Sequence, residues 1–129
     1  SALGYEPGIV PDQECSLYKA DEKLLQIAKE ACEKVNHGIG VYVGRVVSGD
    51  QFISGAEKKE WLVGKFDGYC CEMEGAAIAQ AAYLNKVPFL VVRAISDKAD
   101  NSAFMDYPEF EKRAIAQGVR LIKEIAAVY

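Results

Sequence analysis

Three short stretches carry the residues best able to do chemistry: Ser48-Gly49-Asp50, Glu72-Met73-Glu74 and Arg93-Ala94-Ile95-Ser96-Asp97. Each closes or follows a run that reads as a strand, and open parallel sheets bind ligands outside the carboxyl ends of their strands. Glu72 and Glu74 flank Met73 where a strand hands over to a helix. If strand geometry persists there, both carboxylates point to one side and repel unless each finds a donor. A carboxylate so placed can accept from two hydroxyls, the pattern offered by the vicinal diol of a sugar. The plainer alternative is an acidic residue favoured by the dipole at a helix N-terminus. Asp97 follows an almost wholly apolar segment. It reads either as a turn or helix-capping residue or as a general acid whose pKa is raised by partial burial. Arg93 interrupts the same apolar segment and needs a carboxylate, Glu72 or another, if it is buried. Phe52, Phe104 and Tyr107 stand in predicted loops, where an aromatic ring either packs or stacks on a flat ligand.

Composition excludes several classes of function. Of 129 residues, half are hydrophobic and 26% are charged, with a net charge of −4, which is globular rather than disordered composition. No block of Lys and Arg stands out, so no nucleic-acid partner is expected. The longest apolar run, Val87 to Val92, contains Pro88 and is too short to cross a bilayer. The first residues show neither a basic stretch nor an apolar core, so no secretion signal is expected and the chain reads as soluble and cytoplasmic. Cys70 and Cys71 are adjacent, which argues against a disulfide framework and for buried structural thiols, with Cys32 similarly structural. With a single histidine, His37, there are too few soft ligands for zinc. Asp97, Asp100 and Asp106 do not match the spacing of a Ca²⁺ loop. No metal and no cofactor is expected.

These residues must be held by the elements around them. Residues 1–19 read as irregular, punctuated by Gly4, Pro7, Gly8 and Pro11. Asp21 is placed to cap a helix whose apolar positions are Leu24, Ile27, Ala28, Ala31 and Val35, and Asn36-His37-Gly38 stops it. Ile39–Val47 suits a buried strand. A turn follows at 48–50 and a short helix over Glu57–Phe66. Tyr69–Met73 reads as a second strand running into a helix of small residues from Gly75 to about Asn85. Val87–Ile95 is the strongest strand candidate, nearly all apolar as expected when both sheet faces are covered. After a polar loop over 96–107, a last helix opens at Asp106-Tyr107-Pro108-Glu109, with Pro108 in its first turn and Phe110, Ala114, Leu121 and Ile125 as its apolar stripe. Alternating elements of these lengths predict an α/β fold with a mostly parallel or mixed sheet covered by helices.

Three motifs then coincide: Val47-Ser-Gly-Asp-Gln-Phe-Ile, Glu72-Met-Glu-Gly-Ala-Ala-Ile-Ala and Val91-Val-Arg-Ala-Ile-Ser-Asp-Lys-Ala-Asp. Together with Gly4-Tyr5-Glu6 and Tyr107-Pro-Glu-Phe, they resemble the 5′-methylthioadenosine/S-adenosylhomocysteine nucleosidase family of the nucleoside phosphorylase superfamily. The Met-Glu pair is common to the superfamily; the Arg-Ala-Ile-Ser-Asp string with Ser-Gly-Asp-x-Phe-Ile is far more specific.

The resemblance implies a three-layer α/β/α fold, nucleoside phosphorylase-like, of which residues 1–129 form the C-terminal part of a single domain. It implies hydrolysis of an N-glycosidic bond with release of adenine, Asp97 protonating purine N7. Ser96 and Ile53 would hold the base and Phe52 would stack on it. Met73 and Glu74 would hold the ribose, and Tyr107 would meet the 5′-thio substituent where most relatives have Phe. Glu72 and Arg93 would support the site. The family's water-activating Glu belongs to a preceding half with no counterpart here, so residues 1–129 alone are expected to be nearly inactive. A small nucleoside is the expected partner and a homodimer the expected assembly. Two alternatives stay open: a purine nucleoside phosphorylase, and a nucleoside-binding or dimerising half-domain without turnover.

Overall fold

The computed structural model describes residues 4–95 and 107–129, leaving aside the side chain of Tyr107. It contains helix α1 (Glu22–Val35), strand β1 (Arg45–Ser48), helix α2 (Ala56–Phe66), strand β2 (Gly68–Glu72), helix α3 (Gly75–Leu84) and helix α4 (Tyr107–Val128). The α/β class is as expected. β1 and β2 are parallel and joined through α2, with Val46 opposite Cys70, Val47 opposite Cys71 and Ser48 opposite Glu72. The register is irregular between Arg45 and Val46.

Local chemistry explains the helices. Asp21 caps α1, its side chain accepting from the Leu24 amide at 2.8 Å, while Glu22 and Lys34 lie at the ends where the helix dipole favours them. Ala28, Ala31 and Cys32 form the buried face of α1. Leu121 of α4 packs on Ala31 and Cys32, with Val41 and Ile125 alongside. Two residues of the predicted α4 stripe, Leu121 and Ile125, therefore face α1. Asn36, just past α1, is buried and donates to the Gln117 carbonyl at 3.1 Å, while its Oδ1 accepts from Arg120 at 3.0 and 3.2 Å. These bonds fasten the end of α1 to α4. α2 stops at Asp67, whose left-handed backbone (φ 52°) lets its amide reach the Val63 carbonyl at 2.8 Å.

Three expectations are corrected. The first strand begins only at Arg45, so residues 39–44 carry no ladder. Val87–Ile95, the strongest strand candidate, is not a strand, and Val87, Val92 and Ile95 are about half exposed. A strand exists only through bonds to a neighbour. The two described strands bond to each other, whereas the apolar segment makes a different contact, the Phe89 carbonyl accepting from the Asp21 amide at 2.9 Å. Finally, Cys71 is exposed and Cys70 only partly buried, because alternate residues of a strand face opposite ways and one side of β2 is open. Cys32 is buried as expected, and all four cysteines are free.

Candidate functional site

The two parallel strands end side by side at Ser48 and Glu72. Beyond that pair the Gly49 amide still reaches the Glu72 carbonyl at 3.1 Å, holding the chain ends together as they leave the sheet. Glu72 is only 8% exposed. Its Oε2 accepts from the backbone amides of Glu74 at 3.0 Å and Gly75 at 2.7 Å. Its Oε1 accepts from the Ser48 hydroxyl. The same hydroxyl oxygen accepts from the Ala76 amide at 2.8 Å. Glu72 and Ser48 thus satisfy three of the orphan amides at the start of α3, a capping task usually given to the residue just before a helix.

This arrangement settles the protonation of Glu72. Burial pushes its carboxyl up, but the Ser48 hydroxyl, the amides of Glu74 and Gly75 and the charge of Arg93 outweigh burial and hold it below the ordinary value. Gly75 is required beneath it: a Cβ there would lie 2.9 Å from Glu72 Oε1 and 3.1 Å from its Cδ.

Glu74 has a different fate. The chain leaves strand geometry after Glu72, and each carboxylate finds a donor of its own, the condition under which the two need not repel. Glu74 occupies the N-cap position of α3 without capping it. One carboxylate oxygen accepts from the Met73 amide at 3.3 Å, and Arg93 Nη1 lies 3.9 Å from the same oxygen. Arg93 therefore finds Glu74, not Glu72, as its direct partner, while both members of the pair remain largely open to solvent. Such a pair contributes little stability. It leaves acceptor capacity on Glu74 and steers which way the carboxylate faces.

Phe52 and Ile53 lie in the segment between β1 and α2, past Ser48. Phe52 is 86% exposed, so it belongs to no core, and Ile53 is partly buried. Met73 is about half exposed. The structure thus brings Glu72, Met73, Glu74 and Arg93 together at the strand ends, with Phe52 and Ile53 on the loop leaving the same edge. Ser96, Asp97, Asp100, Phe104 and Asp106 lie outside the described residues, as does the side chain of Tyr107. In the sequence Ser48 belongs to one of the three chemistry-bearing turns but has no role of its own. The signal that could have singled it out is a hydroxyl at the end of one strand in register with an acid at the end of the next. Among the described residues, no group of three or more His, Cys, Asp or Glu is placed to hold a metal ion. No described helix is long and apolar enough to cross a membrane.

Residues 2–127 match the family model of the Phosphorylase superfamily. The 5′-methylthioadenosine/S-adenosylhomocysteine nucleosidase of an Exiguobacterium species is 37% identical over 126 residues, covering 97% of this chain and 53% of that protein. The nucleosidase of the same name from Bacillus subtilis is 36% identical, with 97% and 54% covered. Among solved structures, the 5′-methylthioadenosine/S-adenosylhomocysteine nucleosidase of Campylobacter jejuni superposes with a TM-score of 0.88 at 34% identity, covering 99% of this chain and 55% of that one. Futalosine hydrolase of Helicobacter pylori superposes with a TM-score of 0.82 at 31% identity, with 99% and 54% covered. The chain spans about half the length of the curated relatives it matches.

Proposed function

Because this chain belongs to the phosphorylase superfamily, we propose that it supplies the base- and ribose-binding part of a nucleosidase that hydrolyses the N-glycosidic bond of 5′-methylthioadenosine and S-adenosylhomocysteine. The observation that carries this reading is the division of labour between Glu72 and Glu74. Glu72 is consumed by Ser48 and the α3 amides. Glu74, one residue past Met73, keeps an exposed carboxylate at the strand ends. A carboxylate with free lone pairs can accept from both hydroxyls of a ribose.

The chemistry follows from the charges that must develop. Breaking the bond between ribose and base builds positive charge on the sugar and negative charge on the leaving purine. Glu74 sits where it would ease the first, and Arg93 orients it. Phe52 presents an exposed face for the adenine ring, with Ile53 beside it through its backbone. Asp97, backed by Ser96, would protonate N7 of the departing base, a contribution of about 10²–10⁴-fold for general acid catalysis. Tyr107 would meet the 5′-thio substituent. No residue of 1–129 is assigned to activate the attacking water. Residues 1–129 would form the C-terminal part of one domain and turn over very slowly alone.

Adenine release from 5′-methylthioadenosine and S-adenosylhomocysteine tests the reading, measured with and without phosphate. Phosphate-independent release by the protein that carries residues 1–129, lost in Asp97→Asn with the fold intact, is the expected result. Release that needs phosphate would favour a purine nucleoside phosphorylase instead. Binding without turnover by any assembly of the protein would favour a nucleoside-binding module. The likeness to futalosine hydrolase makes futalosine the second substrate to assay alongside.

A further inference from the structure

The geometry points to Ser48 as a positioning residue for ribose recognition, acting through the Glu72 hub on the Met73-Glu74 turn; this inference rests on the nucleosidase reading above. One hydroxyl joins three elements. It stands at the end of β1, donates to the carboxylate at the end of β2 and accepts from the Ala76 amide of α3 at 2.8 Å. The other carboxylate oxygen of Glu72 holds the amides of Glu74 and Gly75. The backbone of Glu74 is thus clamped from beneath by a carboxylate whose own orientation is fixed by Ser48.

A serine hydroxyl suits this place because it must donate and accept at once, to a carboxylate on one side and an amide on the other. Without it, Glu72 Oε1 would lose its donor at a partly buried contact, and the Ala76 amide, on the exposed side, would lose its acceptor. The Glu72 carboxylate would then be held through one oxygen alone, by the amides of Glu74 and Gly75, and the Glu74 backbone that it clamps would be less firmly placed. Ser48 itself need not touch substrate. Its effect is on where the Glu74 carboxylate points, and therefore on the sugar rather than on the base.

That distinction gives the test. Binding of 5′-methylthioadenosine and of free adenine to the full chain is measured by calorimetry for the unaltered protein, Ser48→Ala and Ser48→Thr. Ser48→Ala is expected to weaken the nucleoside about tenfold, the worth of one hydrogen bond to a charged group, and to leave adenine unchanged. Ser48→Thr, which keeps the hydroxyl, is expected to restore the nucleoside. Equal losses for both ligands, or no loss for either, would overturn the inference. Amide hydrogen exchange is read on the same samples. Faster exchange at Glu74, Gly75 and Ala76 in Ser48→Ala, with α1 and α4 unchanged, supports the positioning role; unchanged exchange at those three amides sinks it. Should the unaltered chain bind neither ligand, the nucleosidase reading falls, and exchange alone decides on Ser48. If the alanine variant does not fold, Ser48→Cys keeps the volume, weakens the donor and is judged by the same two outcomes.

Discussion

Glu72 and Glu74 are the same side chain two positions apart, and their surroundings give them opposite work. Glu72 is buried under three donors and held ionised; Glu74 is open and, among the described residues, meets Arg93 and one amide. The lowered pKa of Glu72 has a consequence for stability. A carboxyl whose folded pKa lies below its unfolded one stabilises the fold fully above the unfolded value, here taken as 4.5. That contribution is lost as the pH falls through the folded value beneath it. Urea denaturation of the unaltered chain and of Glu72→Gln should therefore differ most at neutral pH, with the gap narrowing below about pH 4 as the carboxyl protonates. A gap that stays constant down to pH 3 would show that the ionised form is not what holds the turn. The pairing of Ser48 with Glu72 was not legible in the sequence, since it depends on strand register; the presence of two acids at a strand-to-helix junction was.

At the scale of elements, the stable contact is α1 on α4, and it is thin. Ala31, Cys32 and Leu121 form its buried centre, and Asn36 ties its end by bonds to Gln117 and Arg120. Leu121 is the only large side chain among those three, so Leu121→Ala should cost about 2–5 kcal/mol, read as a lower urea midpoint. A surface change such as Lys112→Ala on the same helix should alter the unfolding free energy by less than about 0.5 kcal/mol. Equal effects of the two would mean that α4 does not dock through this face. The periodicity of α1 and α4, with the Asp21 cap, was fully readable because helices are built from contacts three and four residues apart. The segment Val87–Ile95 shows the limit of that reading. Its β-branched, apolar character is a statement about burial, while strand formation needs a partner that no local pattern encodes.

Across the whole molecule, large apolar side chains lie open on several elements. Ile78 and Leu84 on α3, and Ile115, Val119 and Ile122 on α4, are exposed, Ile122 at 68%. Val87, Val92 and Ile95 add to this surface. Exposed apolar side chains on this many elements favour association. Residues 1–129 on their own should therefore bind an apolar dye and run larger than a monomer on size exclusion. Polypeptide equivalent to the rest of the relatives' length should suppress both effects. A monodisperse monomer that binds no dye would contradict the prediction.

The α/β class, most helix boundaries and the residue types gathered at the strand ends were legible from the amino-acid order, since these follow from short-range periodicity, capping and motif spacing. That order also carried the family resemblance, which rests on strings of adjacent residues. It took the folded arrangement to show that Glu72 is a buried cap, that Arg93 faces Glu74, that Ser48 joins both strand ends to α3, and that the apolar segment after α3 carries no ladder. Those are contacts between residues far apart along the chain, and their geometry depends on strand register and on which partners are within reach.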